Sequence, residues 1–135
     1  SHQPGGFKAV HATSSGKALL AMLSPAERQK WLQGYGELQA YTERTLASRQ
    51  ALLDDLNEGV QRGWQRSVGE HVEDVMSLSL GFRAFEQPFA IVVAGPLGRM
   101  LKNEATIGRQ LEEVKAWLAQ ALPSANLTFL EGSSR

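Results

Sequence analysis

A chain of 135 residues, 42% of them hydrophobic and 21% charged, fits one domain whose core buries about two-thirds of the unfolded surface. Fourteen basic residues balance fourteen acidic ones, and no Lys/Arg run stands out, so nothing marks a nucleic-acid-binding surface. The lack of cysteine removes disulfide frameworks, thiol catalysis and Cys-rich zinc sites, and no apolar run approaches the ~20 residues that cross a bilayer. No signal-peptide pattern opens the chain, so the expectation is a soluble intracellular domain with the cytoplasm as its default location. Ser1 and His2 read as a cloning remnant, and His2 is given no functional weight.

In chain order, a first helix is predicted over 14–23, with Thr13 or Ser14 as its cap. A second opens at "SPAE": Ser24 is the N-cap, Pro25 the first helical residue, and Glu27 completes a capping box. It should end near Gly34. A third, over 48–62, carries Leu52, Leu53, Leu56 and Val60 on one face and stops at Gly63. Then the period changes to two. A short strand is predicted over 64–68, followed by "VMSLSLGF" and, after the turn signal "EQP", by "FAIVVAG", the last two forming an antiparallel hairpin. The fourth helix is predicted over 103–122, from the stripe of Ile107, Leu111, Val114, Leu118 and Leu122 that ends before Pro123. "NLTFL" is assigned as an edge strand. No repeat or low-complexity segment occurs.

The hairpin has unequal faces. Met76, Leu78, Leu80 and Phe82 form a large apolar side suited to a helix layer. The other side holds Ser77, Ser79, Gly81, Ala90, Val92 and Ala94, all small. An antiparallel strand facing solvent usually carries charged or larger polar groups there. Small residues leave room, either for closely packed backbone or for a ligand.

"HATSSGKALLAML", residues 11–23, admits three readings. A phosphate loop needs glycine where His11 stands and Ser or Thr where Ala18 stands, so it fails. Ser14-x-x-Lys17 matches the serine nucleophile and lysine base of some hydrolases, but the companion S-D-N and K-T-G elements are missing. The third reading is a helix N-terminus that either is simply well capped or holds a small anion on its free N–H groups and two serine hydroxyls.

Taken together, the segments resemble a known family. "HATSSGKALLA" is similar to the H-A-[ST]-x-x-G-K-A-x-L-A signature of the effector-binding domain of IclR-type bacterial transcription regulators. "LSPAER", "AYTERT", "LLDDLNEGVQRGW" with "GEH", and "FAIVVAGPLGR" follow in that family's order. The match runs over about 11–122 of one domain spanning 1–135, with 123–135 a tail that departs from the pattern. The resemblance implies an α/β (α+β) GAF-like fold, an antiparallel sheet flanked by helices. It also implies that the first strands of the domain and a winged helix-turn-helix DNA-binding domain lie outside this sequence.

In relatives that bind small 2-oxo acids, the carboxylate sits at the N-terminus of the H-A-T helix. Carried over, the effector-binding positions are Ser14, Ser15, Ser67, Ser77, Val92 and Ala94, with no catalytic residue, metal or cofactor. Val92 and Ala94 replace two serines, which makes that wall apolar and leaves a small, strongly hydrated acid poorly paired. The resemblance therefore implies a sensor of an aromatic or otherwise apolar organic acid rather than an enzyme. It would act as a homodimer or homotetramer and reach DNA only through the separate N-terminal domain, with no membrane contact. A ligand-free oligomerisation module and the Ser-x-x-Lys hydrolase are the alternatives. Lys17 is expected to pack or pair locally. "GEHVEDV" is read as a solvated turn, because its mixed spacing has no metal-ligand register.

Overall fold

A computed structural model describes residues 9–130; His2 and the last five residues of the tail lie outside them. Four helices and four strands follow in the order α1 (Ser14–Met22), α2 (Pro25–Tyr35), α3 (Arg49–Arg62), β1 (Gln65–Val68), β2 (Val75–Ala84), β3 (Gln87–Pro96), α4 (Leu97–Ala121) and β4 (Thr128–Phe129). The class is the expected one, helices flanking an antiparallel sheet. β2 is central: β3 pairs along its whole length on one side. On the other side, β1 pairs with its first half and β4 with its end, placing Phe129 opposite Phe82.

The helix ends follow their local chemistry. Ser24 and Glu27 exchange both bonds of a capping box, and Ser48 accepts from the Ala51 amide to start α3. Gly63, at φ +107°, closes α3 in a backbone region that suits glycine. Arg28 of α2 donates to the Leu20 and Leu23 carbonyls and so satisfies the end of α1.

Two boundaries differ from expectation. The hairpin turns at Phe85 and Glu86, both with positive φ, so only the first residue of "EQP" belongs to the turn; Pro88 lies inside β3. Because β3 is an edge strand among the described residues, its missing N–H costs no ladder bond. Helix α4 begins at Leu97, six residues before the predicted start, with Pro96 as N-cap. Pro96 supplies a fixed φ of −59° at the strand-to-helix corner, so "GPLG" opens a helix where its composition suggests a turn.

The unequal faces of the hairpin define the layers. Met76, Leu78 and Leu80 pack under α4 with Met100 and Leu111, and Phe82 meets Leu118 further along. Gly108 admits the Trp64 ring at a point where any Cβ would collide. On the small face lies α1, pressed so closely that a Cβ on Gly81 would stand 3.2 Å from Ala18. Above it, Val10, Leu20, Leu32, Leu52 and Leu56 make a second core joining α1, α2 and α3.

Candidate functional site

Helix α1 points its first turn at the end of the sheet where β1, β2 and β3 meet. Thr13 is the N-cap, its Oγ1 accepting from the Gly16 amide at 3.1 Å. The amides of Ser14 and Ser15 open the helix and have no carbonyl a turn behind them to bond, so they face outward with the positive end of the dipole. Gly16 allows the approach of the preceding turn: a Cβ there would lie 2.3 Å from the Val10 carbonyl oxygen.

In front of this turn is a cavity of about 230 Å³ lined by Ala12, Thr13, Ser14, Ser15, Ser67, His71, Val72, Val75, Ser77, Val92 and Ala94. All six positions carried over from the resemblance line it. Ser14 is buried and accepts from the Ser77 hydroxyl at 2.7 Å, which fixes the helix end against β2. The Ser67 hydroxyl donates to the Ala12 carbonyl at 2.5 Å, so only its lone pairs remain for a ligand. Val92 and Ala94 form the far wall on β3, and Val92 stays 45% exposed.

The sequence reading missed Ala12, Thr13, His71, Val72 and Val75. His71 and Val72 belong to the β1–β2 loop, read from its charges as a plain solvated turn. It is exposed from His71 to Val75, as expected, but its start is held: Thr42 and Thr45 donate to the Gly69 and Glu70 carbonyls, each at 2.6 Å, and Gly69 takes φ +64°. The apolar Val72 and Val75 were the visible signal that one side of this loop is not ordinary solvent surface. Among the described residues no three His, Asp or Glu side chains come together as a metal site.

Lys17, one turn into α1, points away from the cavity. It is fully buried, with Nζ donating to Glu70 Oε1 at 2.6 Å and the Arg66 carbonyl at 2.8 Å, and it forms an ion pair with Asp55 Oδ2 at 2.8 Å. Glu70 Oε2 accepts from the Val68 amide. Lys17 thus ties α1 to α3 and to the loop after β1, the local pairing expected of it. A lysine held by two carboxylates and a carbonyl has no lone pair to take a proton from Ser14, which leaves Ser14-x-x-Lys17 without its base.

The fold thus sets a polar helix end in front of an apolar wall. The chain belongs to the IclR-type bacterial transcriptional regulators, matching their C-terminal domain over residues 3–122. These are regulators, not enzymes. It is 36% identical over 104 residues to the transcriptional repressor IclR of Escherichia coli, covering 76% of this chain and 38% of that protein. The repressor BlcR of Agobacterium tumefaciens shares the fold at a TM-score of 0.72 and 21% identity, over 84% of this chain and 46% of that one. The inducer-binding domain of a PobR double mutant from Acinetobacter, solved with 3-hydroxybenzoic acid, matches at a TM-score of 0.58 and 26% identity. That match covers 67% of this chain and 54% of the other. The chain spans less than half the length of the repressor it matches. Among the described residues no helix is long and apolar enough to cross a membrane.

Proposed function

We propose that this domain senses a small aromatic or otherwise apolar organic acid. Its carboxylate would lie on the Ser14 and Ser15 amides and the Ser15 hydroxyl, with its body against Val72, Val75, Val92 and Ala94. The carrying observation is the polarity of the cavity, polar at the α1 end and apolar opposite. A tiny hydrated acid would bury its second polar end against Val92 and Ala94 without partners, whereas an aromatic ring gains from the same contact. The volume, about 230 Å³, has room for an aromatic ring. That a PobR domain is solved with 3-hydroxybenzoic acid supports this class of ligand.

In the whole protein the mechanism is a shift of populations. An acid bridging the α1 end and the β2–β3 wall favours the conformation in which they are closest. In a homodimer or homotetramer that bias alters how the DNA-binding domains are presented. The cytoplasm is where such a regulator works.

A thermal-shift panel of 2-oxo acids, dicarboxylates and monocyclic aromatic acids tests the reading. At ~100 times the dissociation constant, a true ligand stabilises the fold by about 2.7 kcal/mol. Aromatic acids should raise the midpoint, and Ser15→Asp should abolish the rise by setting a carboxylate where the ligand's belongs. A response confined to glyoxylate-like acids would keep the sensor and overturn the apolar ligand. Silence towards every acid would favour an oligomerisation module.

A further inference from the structure

The cavity in front of α1 offers a ligand two polar regions, and an acid held on the helix end uses only one of them. Most of the hydroxyls there are already engaged: Ser77 donates to Ser14, Ser67 donates to the Ala12 carbonyl, and Thr13 accepts from the Gly16 amide. The β3 wall of Val92 and Ala94 is apolar. The second polar region is His71, on the loop after β1. It is the one aromatic ring and the one ionisable side chain among the residues lining the cavity.

His71 is exposed, yet it is placed from several sides. Its ring meets Tyr41 edge to face, with centroids 4.9 Å apart and planes at 86°. The carbonyl just before it, that of Glu70, accepts from the Thr45 hydroxyl, and the same oxygen of Thr45 accepts from the Tyr41 amide at 3.0 Å. One short segment therefore braces both the ring and the backbone. The Glu70 side chain in turn takes Lys17 of α1 in a buried ion pair at 2.6 Å. The loop that carries His71 and the helix that receives the carboxylate are thus tied to each other. The ring nitrogens bond no protein group among the described residues, so water hydrates them until a ligand takes its place. A side chain ordered beforehand loses little entropy when it binds.

We propose that His71 binds a second polar group of the ligand, a ring hydroxyl, and that the acid sensed is a hydroxylated aromatic acid. Its carboxylate lies on α1 and its hydroxyl points to the β1–β2 loop. This inference rests on the aromatic-acid reading given above. A phenolic hydroxyl both gives and accepts, so the bond forms whichever ring nitrogen carries the proton. Because α1 and the loop are tied together, their spacing selects one position of the hydroxyl on the ring. A hydroxyl placed elsewhere falls against Val92 and Ala94 and is left unpaired, which costs affinity.

Calorimetric titration of the chain, His71→Leu and His71→Gln with benzoic acid and its three monohydroxy derivatives tests this. One isomer should bind the unchanged chain about fivefold more tightly than benzoic acid, the gain expected of one net hydrogen bond. In His71→Leu that advantage should vanish while benzoic acid binds much as before. In His71→Gln, which keeps a donor and an acceptor, part of it should remain. If benzoic acid binds and no hydroxyl improves it, or the improvement survives His71→Leu, the role of His71 is overturned and the aromatic-acid reading stands. If none of the four acids binds the unchanged chain, both are overturned.

Discussion

Among the described residues, four polar side chains are fully enclosed: His11, Ser14, Lys17 and Ser79. Lys17 is the costliest to disturb. Its charge is matched inside the protein by Glu70, itself nearly buried, and by Asp55. Removing one member of a buried pair leaves the other charge uncompensated, a loss of about 3–5 kcal/mol. Lys17→Met should therefore lose that much in urea unfolding, although methionine fills similar space; a loss under about 1 kcal/mol would show that Glu70 finds another partner. His11 is a subtler case. Its Nε2 lies 2.8 Å from the Gln39 carbonyl, which only accepts, so Nε2 carries the proton and Nδ1 accepts from the Tyr35 hydroxyl at 2.8 Å. Burial pushes the His11 pKa below its ordinary 6.5, the Gln39 bond opposing and the Lys17 charge adding to the fall. The unfolded chain then binds a proton more readily than the folded one. The stability from His11 is complete above about pH 6.5 and is lost as pH falls from there through the lower folded value. Denaturation midpoints followed from pH 7.5 to 5 should decline, and His11→Gln should flatten the part of the slope that a single proton carries.

At the scale of elements, the hairpin and α1 make opposite predictions from similar geometry. Phe85 and Glu86 sit at φ +53° and +63°, a two-residue turn with both residues left-handed and Phe85 58% exposed. Neither side chain suits that region, whereas Asn-Gly does. Replacing Phe85→Asn and Glu86→Gly should raise stability by about 1–2 kcal/mol in chemical denaturation. Gly16 in α1 looks equally improvable, since alanine gains up to about 1 kcal/mol over glycine in a helix. The Val10 carbonyl 2.3 Å from a Cβ reverses the sign: Gly16→Ala should destabilise by about 1–3 kcal/mol, because backbone has to move. These two sites also show what was legible. Helices α1, α2 and α3 were readable because Thr13, Ser24, Ser48 and Gly63 cap them through local bonds. The hairpin turn was misplaced because Phe85 and Glu86 are poor turn formers held by the register of the strands. The start of α4 was missed because Pro96 and Gly98 look like a loop until strand and helix share them. In the cavity, the serines and the small β3 positions were legible from the motif and the period of two. His71 and Val72 were not, because contacts distant in sequence place them at the mouth, among them the Thr42 and Thr45 bonds to the loop backbone and the packing of His71 on Tyr41.

For the molecule as a whole, charge and edge decide how it behaves in solution. The net charge is zero, so copies meet without repulsion near neutral pH. The outer side of β3 has no strand beside it among the described residues, and Phe89, Val92 and Val93 are exposed along its ten residues. A long, apolar, unpaired edge is a template for strand addition, and natural edges block this with charge, bulges or cover. β3 runs for ten residues with no charged side chain, and its two prolines, Pro88 and Pro96, stand near its ends, leaving the stretch from Phe89 to Gly95 open. The chain should associate as its concentration rises through the micromolar range, most strongly near its pI of about 6.8. Val93→Lys places a charge in the middle of the edge and should shift that association to higher concentration without lowering the thermal midpoint by more than a few degrees, since Val93 is already partly exposed. Sedimentation velocity of both chains over a concentration series measures this. Equal behaviour of the two would place the association elsewhere on the surface, with the exposed Trp117 of α4 the next residue to change.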